Sequence, residues 1–274
     1  MSLLKDIFGK EESKAKAVAI KKQKSASKPI SKSKSTKPKK AERPPKRTEK
    51  VKKTVAKPAA KPEKVPEISK IPDQKAYEIL KKYKIPIVKQ AFVKNEKQLS
   101  EALKKIRFPV VMKVSGTIIH KTEVGGIIKN INSEADAREA FAKLMKIKGC
   151  ESVLVQEQID GIELIVGAKN TAEFGNVVSV GIGGIFVEIM KDVAFRVCPL
   201  TKEDVHAMLM ELKGREILLG ARGKKAVNLE ALINTILSVG RLVENEEISE
   251  MDINPLMCNE NGCFAVDVRI IKNK

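Results

Sequence analysis

The chain has 274 residues, 42% of them hydrophobic, and a formal charge of +19. That is enough apolar material for a sizeable core and a length suited to one or two domains. The charge suggests a nucleic-acid binder until it is located: residues 1–70 hold 23 Lys/Arg against 7 Asp/Glu, which leaves residues 71–274 only +3. The basicity belongs to a tail, not to the folded part.

Cys150, Cys198, Cys258 and Cys263 contain no CxxC spacing, and His120 and His206 lie far from them in sequence. Reduced thiols are expected rather than a metal or disulfide framework. Cys258 and Cys263 flank a turn at residues 259–262, and the sequence leaves a bridge between them open. No apolar run approaches the roughly 20 residues needed to cross a bilayer. Residues 1–10 lack the apolar core of a secretory signal, and the acidic Asp6, Glu11 and Glu12 argue against a transit peptide. A cytoplasmic protein is expected.

In chain order, Leu3, Leu4, Ile7 and Phe8 would share one face of a short helix, either frayed or docked on a partner or membrane surface. Residues 1–68 form a Lys-, Ala-, Ser- and Pro-rich segment too poor in apolar residues to offset ordering entropy, so a disordered tail is expected. Its basic runs, such as Lys32–Lys40 and Arg43–Lys53, lack interleaved aromatics. Weak, salt-sensitive contact with an anionic partner is the alternative to a simply solvated tail.

From residue 69 the texture becomes that of a folded domain. Ala76, Ile79, Leu80 and Tyr83 make a helical stripe. Residues 85–93 read as extended. Asn95 with Gln98, and Ser133 with Asp136, are helix-start signatures, as is Thr201 with Asp204. Strands are expected at 108–114 and 126–131, at 153–158 and 163–168 around a turn at Asp160-Gly161, and at 177–180 and 185–189 around Gly181, Gly183 and Gly184. Leu229, Leu232, Ile233, Ile236 and Leu237 form another helical stripe, and residues 248–257 and 263–271 close the chain as a hairpin. The mixture predicts an α+β (mixed α/β) fold.

Five groups of residues carry candidate chemistry. In the strand containing Val110–Gly116, Val111, Lys113 and Ser115 point to one side, away from Val110, Met112 and Val114. A lysine among strand hydrophobics calls for an anion such as phosphate, unless that face is half exposed. The following loop carries Ser115, Gly116, His120, Lys121, Gly125 and Gly126. Its glycines allow backbone amides to approach phosphates, and the imidazole can attack phosphorus. Gln156, Glu157 and Glu163 are placed to meet ribose or base. Asn254, in Asp252-Ile-Asn254-Pro255, and Asp267 on the next strand offer hard oxygen ligands for Mg²⁺, with Asn-Pro as a mere turn former the alternative. Finally, Glu188, Asp192 and Arg196 are charges in the apolar run from Gly181 onward. They are expected either to line a site or to contact another chain.

Taken together, the segments YEILKKYKIPIV, FPVVMKVSG, IIHKTEVGGI, VLVQEQIDGIELIVGA, FGNVVSVGIGGIFVEIMKDVAFRVCPL, LLGARGKKAVNLEAL, ISEMDINPLM and FAVDVRI resemble the β subunit of NDP-forming acyl-CoA synthetases, the ADP-forming acetate–CoA ligases. The resemblance implies an ATP-grasp fold over residues 69–274, in two subdomains of roughly 69–152 and 153–274. It implies interconversion of acyl-CoA, ADP and phosphate with acid, CoA and ATP. It also implies a partner α subunit that binds CoA and carries the primary phosphohistidine, in an α2β2 assembly. Lys113 matches the family's phosphate lysine and His120-Lys121 its HK pair, whose histidine is implicated in the relay. Glu157 and Glu163 match the hinge and ribose region, and Asn254 and Asp267 the Mg²⁺ ligands of the related succinate–CoA ligase β chain. Arg222 matches an RG dipeptide without an assigned role, and Asn228 stands where the family often has Asp. Two other readings stay open: a degenerate ATP-grasp binding module tethered by its tail to nucleic acid or membrane, and a succinate–CoA ligase β chain, which the IIHKTEVGG loop disfavours.

Overall fold

The computed structural model of the protein describes residues 68–116, 121, 123–184, 192–221 and 225–273. The expected tail and its leading helix, His120, Glu188, Arg222 and the strand expected at 185–189 lie outside the described residues. The elements run β1 (Ile68–Lys70), α1 (Asp73–Lys82), β2 (Gln90–Val93), α2 (Glu96–Leu103), β3 (Val110–Gly116), β4 (Ile127–Ile131), α3 (Glu134–Met145), β5 (Cys150–Glu157), β6 (Ile162–Thr171), β7 (Gly175–Ile182), β8 (Val193–Val197), α4 (Lys202–Glu211), α5 (Arg215–Leu218), α6 (Leu229–Asn245), β9 (Ile248–Asn259), β10 (Gly262–Ala265) and β11 (Val268–Asn273).

Among the described residues these strands form two sheets. The smaller has the order β2-β5-β3-β4. Its residues alternate as the sequence predicts: Val110, Met112 and Val114 are buried with Leu99, Ala137, Phe141 and Leu144 of α2 and α3. The opposite row, with Val111 and Lys113, is left to face the rest of the molecule. Both helices start where their caps say they should. Asn95 Oδ1 accepts from Gln98 N at 3.0 Å, and Ser133 Oγ accepts from Asp136 N at 3.1 Å.

The larger sheet has the order β1-β11-β9-β6-β7-β8, with β10 paired to β9. One face packs Leu164, Val166, Val178, Val180, Met251 and Ile253 against α1, α4 and α6. From α6 come Leu232, Ile236, Val239 and Leu242, all fully buried. Truncating Leu232, Ile236 or Leu242 to Ala would cost about 2–5 kcal/mol. Asn228, the departure from the family's usual Asp, is the N-cap of α6; its side chain accepts from Ala231 N at 3.0 Å. A short polar cap is what the helix requires there. Thr201 and Asp204 make the expected reciprocal capping box at the start of α4.

The topology places three expected features in more detail. The residues expected as strands on either side of Asp160-Gly161 do not pair: β5 belongs to the small sheet and β6 to the large one, so the turn carries the chain between sheets. The division expected at 152/153 therefore falls inside β5, a strand whose neighbours β2 and β3 both lie in the small sheet. Asn254-Pro255 is not a turn. It sits within β9, where pairing with β6 shifts register, and such an irregularity accommodates a proline that cannot donate to the ladder. Cys258 and Cys263 are register partners across the β9–β10 hairpin and both are free.

Candidate active site

A cleft of about 1110 Å³ opens where the two sheets face each other. Val111 and Lys113 of β3 and Ile127 and Lys129 of β4 form one wall; Glu163, Asn254 and Met257 come from the large sheet, and Asp267 from the connection between its strands β10 and β11. The crossover residues 156–162 form the end that joins the walls. Strand alternation explains the first wall. The row opposite the small sheet's hydrophobic core has nothing to pack on except the other sheet, and there it keeps a lysine.

Lys113 is 4% exposed, and its ammonium donates to the Val266 carbonyl at 2.8 Å. Burial pushes its pKa down to about 8, opposed by the nearby Asp267 carboxylate and reinforced by Lys121 and Lys129. The same carbonyl accepts from Tyr77 Oη at 2.8 Å and Gln156 Nε2 at 3.0 Å. Gln156 Nε2 also lies 2.7 Å from Gln90 Oε1, while its Oε1 is buried without a partner among the described residues. Val266, between β10 and β11, thus gathers donors from the small sheet and from α1. Burial, and then the Asp267 charge, raise the Tyr77 pKa well above the usual phenol value, so Tyr77 remains a donor.

The backbone amides of Glu157 and Gln158 are committed to the carbonyls of Lys89 and Pro109, both at 2.9 Å. Reading of a base by those two amides is excluded in this arrangement. The side chain of Glu157 is half-buried and that of Glu163 exposed, and both line the cleft.

Asn254 and Asp267 lie on neighbouring segments of the large sheet, with Asn254 N donating to the Asp267 carbonyl at 3.1 Å. Among the described residues no group of three or more His, Cys, Asp or Glu forms a metal cluster. An amide oxygen and a carboxylate nonetheless fit Mg²⁺, which commonly takes one or two protein oxygens and completes its shell with phosphate and water. The Asp267 carboxylate already draws a cation: Lys121 Nζ lies 3.4 Å from its Oδ1. Close by, Arg269 is held by Glu250 at 2.6 Å and Asp252 at 3.1 Å. Burial raises the Asp252 pKa to about 6 against the opposing charge of Arg269.

The remaining expected site residues are placed differently. Ser115, Gly116, Lys121, Gly125 and Gly126 do not line this cleft. Ser115 is buried further along β3, paired in register with Ser152. Gly116 backs onto the turn before β5, where a Cβ would meet the Gly149 carbonyl oxygen at 2.2 Å. Gly126 closes the base of the loop, its amide donating to the Lys121 carbonyl at 2.7 Å. Gly125 has φ +64, a turn conformation that favours glycine. Lys121 turns inward to Asp73, at 3.0 Å, as well as to Asp267. Asp192 neither lines the cleft nor awaits a partner chain; its carboxylate accepts from the amides of Lys213 and Gly214, both at 2.8 Å. Arg196 pairs with Glu211.

Sequence reasoning missed Lys129, Lys225, Tyr77 and Asp73. Lys129 was within reach, because alternation from Ile127 puts it on the cleft side of β4. Lys225 lines the cleft while pairing with Glu260 at 2.8 Å, a contact between distant segments that no local pattern announces.

The ATP-grasp domain family matches residues 65–271. The chain belongs to the ATP-grasp family, with the β subunits of ADP-forming acetate–CoA ligases. It is 44% identical over 209 residues to the ADP-forming acetate–CoA ligase I subunit beta of Pyrococcus furiosus, covering 73% of this chain and 90% of that one. It is 45% identical over 195 residues to the ADP-forming acetate–CoA ligase II of Archaeoglobus fulgidus, covering 70% of this chain but only 29% of that longer protein. Among solved structures, the dinucleotide-forming acetyl-coenzyme A synthetase 1 of Candidatus Korarchaeum cryptofilum, in complex with coenzyme A and Ca-AMPCP, superimposes with a TM-score of 0.71 at 36% identity. That match covers 74% of this chain and 93% of that one. A further structure of the same protein, with coenzyme A and Mg-AMPPCP, has its phosphohistidine segment pointing towards the nucleotide-binding site (TM-score 0.67, 34% identity). Among the described residues no helix is long and apolar enough to cross a membrane.

Proposed function

We propose that this chain is the nucleotide-binding subunit of an ADP-forming acyl-CoA synthetase. With a partner α subunit it interconverts acyl-CoA, ADP and phosphate with acid, CoA and ATP. The observation that carries this reading is the cleft itself. Lys113 and Lys129 face Asn254 and Asp267 across it, and Glu157 and Glu163 stand where the walls join. Cationic side chains opposite hard oxygen donors suit a polyphosphate, and carboxylates at the other end suit ribose hydroxyls.

In this reading nucleotide is a substrate. Lys113 leaves the Val266 carbonyl for a phosphate oxygen, and that carbonyl retains Tyr77 and Gln156 as donors. In the direction of ATP synthesis, a terminal ADP oxygen attacks the phosphorus of a phosphohistidine. The P–N bond breaks as the new P–O bond forms, and the imidazole is freed. Lys113 and Lys129 stabilise the charge that moves onto the equatorial oxygens. Mg²⁺ held at Asn254 and Asp267 would supply charge neutralisation and fix the phosphate geometry. His120 is the candidate for the relay between the partner's phosphohistidine and nucleotide. Coenzyme A binding, the primary phosphohistidine and acyl selectivity belong to the partner, in an α2β2 complex located in the cytoplasm. Residues 1–68 carry the charge for a weak contact with an anionic partner.

The test is reconstitution. Co-expressed with a cognate α subunit, the chain should co-purify with it and form ATP from acetyl-CoA, ADP and phosphate. His120→Asn should reduce ATP formation at least a hundredfold while leaving ADP binding intact. A stable complex that forms no ATP from any short-chain acyl-CoA would overturn the assignment.

A further inference from the structure

Asp73 is a buried carboxylate outside the nucleotide cleft. It lies in the first turn of α1, is 4% exposed, and does not line the cleft. Its two oxygens are held by two ammonium groups, Lys70 Nζ at 2.9 Å and Lys121 Nζ at 3.0 Å. Lys121 is itself largely buried, with its side chain 10% exposed, and its second partner is Asp267 at 3.4 Å. One lysine is therefore shared between a carboxylate inside the fold and the carboxylate proposed to hold the cation.

We infer that Asp73 is a positioning residue that retains Lys121 when a divalent cation takes Asp267. The inference rests on the Mg²⁺ reading given above. Without metal the two carboxylates and two ammonium groups sum to zero; with metal the two added charges fall to the phosphates of the bound nucleotide. Without metal, Lys121 neutralises Asp267 and keeps an unpaired carboxylate out of the cleft wall. With metal, the dication takes over Asp267, and Lys121 needs an anion close enough to be reached by a small movement of its end. Asp73 is already the nearer of its two partners. Lys70 prevents Asp73 from being left bare at any point. With both carboxylates in reach, their charges outweigh burial and raise the Lys121 pKa.

This makes signed predictions that a purely structural role for Asp73 does not. In Asp73→Asn, Lys121 keeps only Asp267, and the incoming cation must compete with it. In Lys121→Met, Asp267 has no resident competitor. The probe is Mn²⁺, titrated by electron paramagnetic resonance into the full-length chain with saturating ADP. Asp73→Asn should weaken Mn²⁺ binding about tenfold and Lys121→Met should tighten it about tenfold, the scale expected for one charge a few ångströms away at partial burial. The double variant should behave as Lys121→Met alone, because Asp73 acts only through Lys121. Lys70→Met frees Asp73 for Lys121 and should tighten Mn²⁺ modestly, so it decides the matter even where Asp73→Asn folds poorly. Unchanged Mn²⁺ affinity in Asp73→Asn, or equal weakening with and without Lys121, would overturn the inference. Asp267→Asn separates the two readings: if it leaves Mn²⁺ affinity at the wild-type value, the metal assignment fails, whereas its loss beside an inert Asp73→Asn rejects the role of Asp73 alone.

Discussion

Lys113 Nζ donates to the Val266 carbonyl at 2.8 Å, so the lysine of the small sheet ends on the residue immediately before Asp267 of the large one. The bond ties the two walls of the cleft at the point where phosphate is proposed to bind. A single carbonyl that also receives Tyr77 and Gln156 can release one donor without becoming orphaned. Lys113 can therefore exchange a main-chain oxygen for a phosphate oxygen at small cost.

Lys113→Met should separate binding from stability. Methionine fills the same space and removes a buried ammonium, so unfolding free energy should stay within about 1 kcal/mol of wild type or rise. ADP affinity, measured by calorimetry, should fall at least about tenfold, the value of one charge-assisted contact.

Gly116→Ala should be among the costlier glycine substitutions. The added Cβ would approach backbone, the Gly149 carbonyl oxygen at 2.2 Å and Glu151 N at 3.0 Å, and φ is +155. A loss of about 2–4 kcal/mol is expected in urea unfolding. Gly125→Ala has φ +64 and nothing nearby, so it should cost about 1 kcal/mol.

Glu246 should contribute to acid sensitivity. Hydrogen bonds from Lys82 and Lys272 pull its pKa from 4.5 to about 2. Because the folded value lies below the unfolded one, the stabilisation is present above the unfolded value and is lost as pH falls through the folded value. Discounted for solvent screening, Glu246→Gln should cost about 1–2 kcal/mol at neutral pH. The gap between wild type and variant should narrow from about pH 5 downward, read by urea midpoints.

Thiol reactivity should divide the cysteines in two. Cys258 and Cys263 are buried, whereas Cys150 and Cys198 are partly exposed. Burial raises the pKa of Cys150 and pushes that of Cys198 up to about 11. A disulfide reagent at neutral pH should therefore modify Cys150 first, Cys198 much more slowly, and all four rapidly only in denaturant, because the thiolate must form and be reached.

What the sequence carried well was local. The caps at Asn95, Ser133 and Thr201 are set by three-residue spacings, and the cleft-facing row of β3 follows from alternation. What it did not carry was long-range. Tyr77 falls outside the helical stripe of Ala76, Ile79, Leu80 and Tyr83, yet it is buried and its hydroxyl finds Val266 189 residues away. Asp73 reads as an ordinary first-turn acid and becomes a buried partner of Lys121 only when the loop folds back. The loop glycines were expected at phosphate because glycine permits close approach. Gly116 and Gly126 do accept close approach, but of the protein's own backbone and side chains. The same property served a turn, and only the pairing of β3 with β4 and β5 tells the two uses apart.

A crystal structure of the chain with a non-hydrolysable ATP analogue and Mn²⁺ tests the central claim most directly. Terminal phosphates should lie beside Lys113, an anomalous peak at Asn254 and Asp267, and ribose near Glu157 and Glu163. A nucleotide bound elsewhere, or Mn²⁺ absent from Asn254 and Asp267 with phosphate in place, would contradict it.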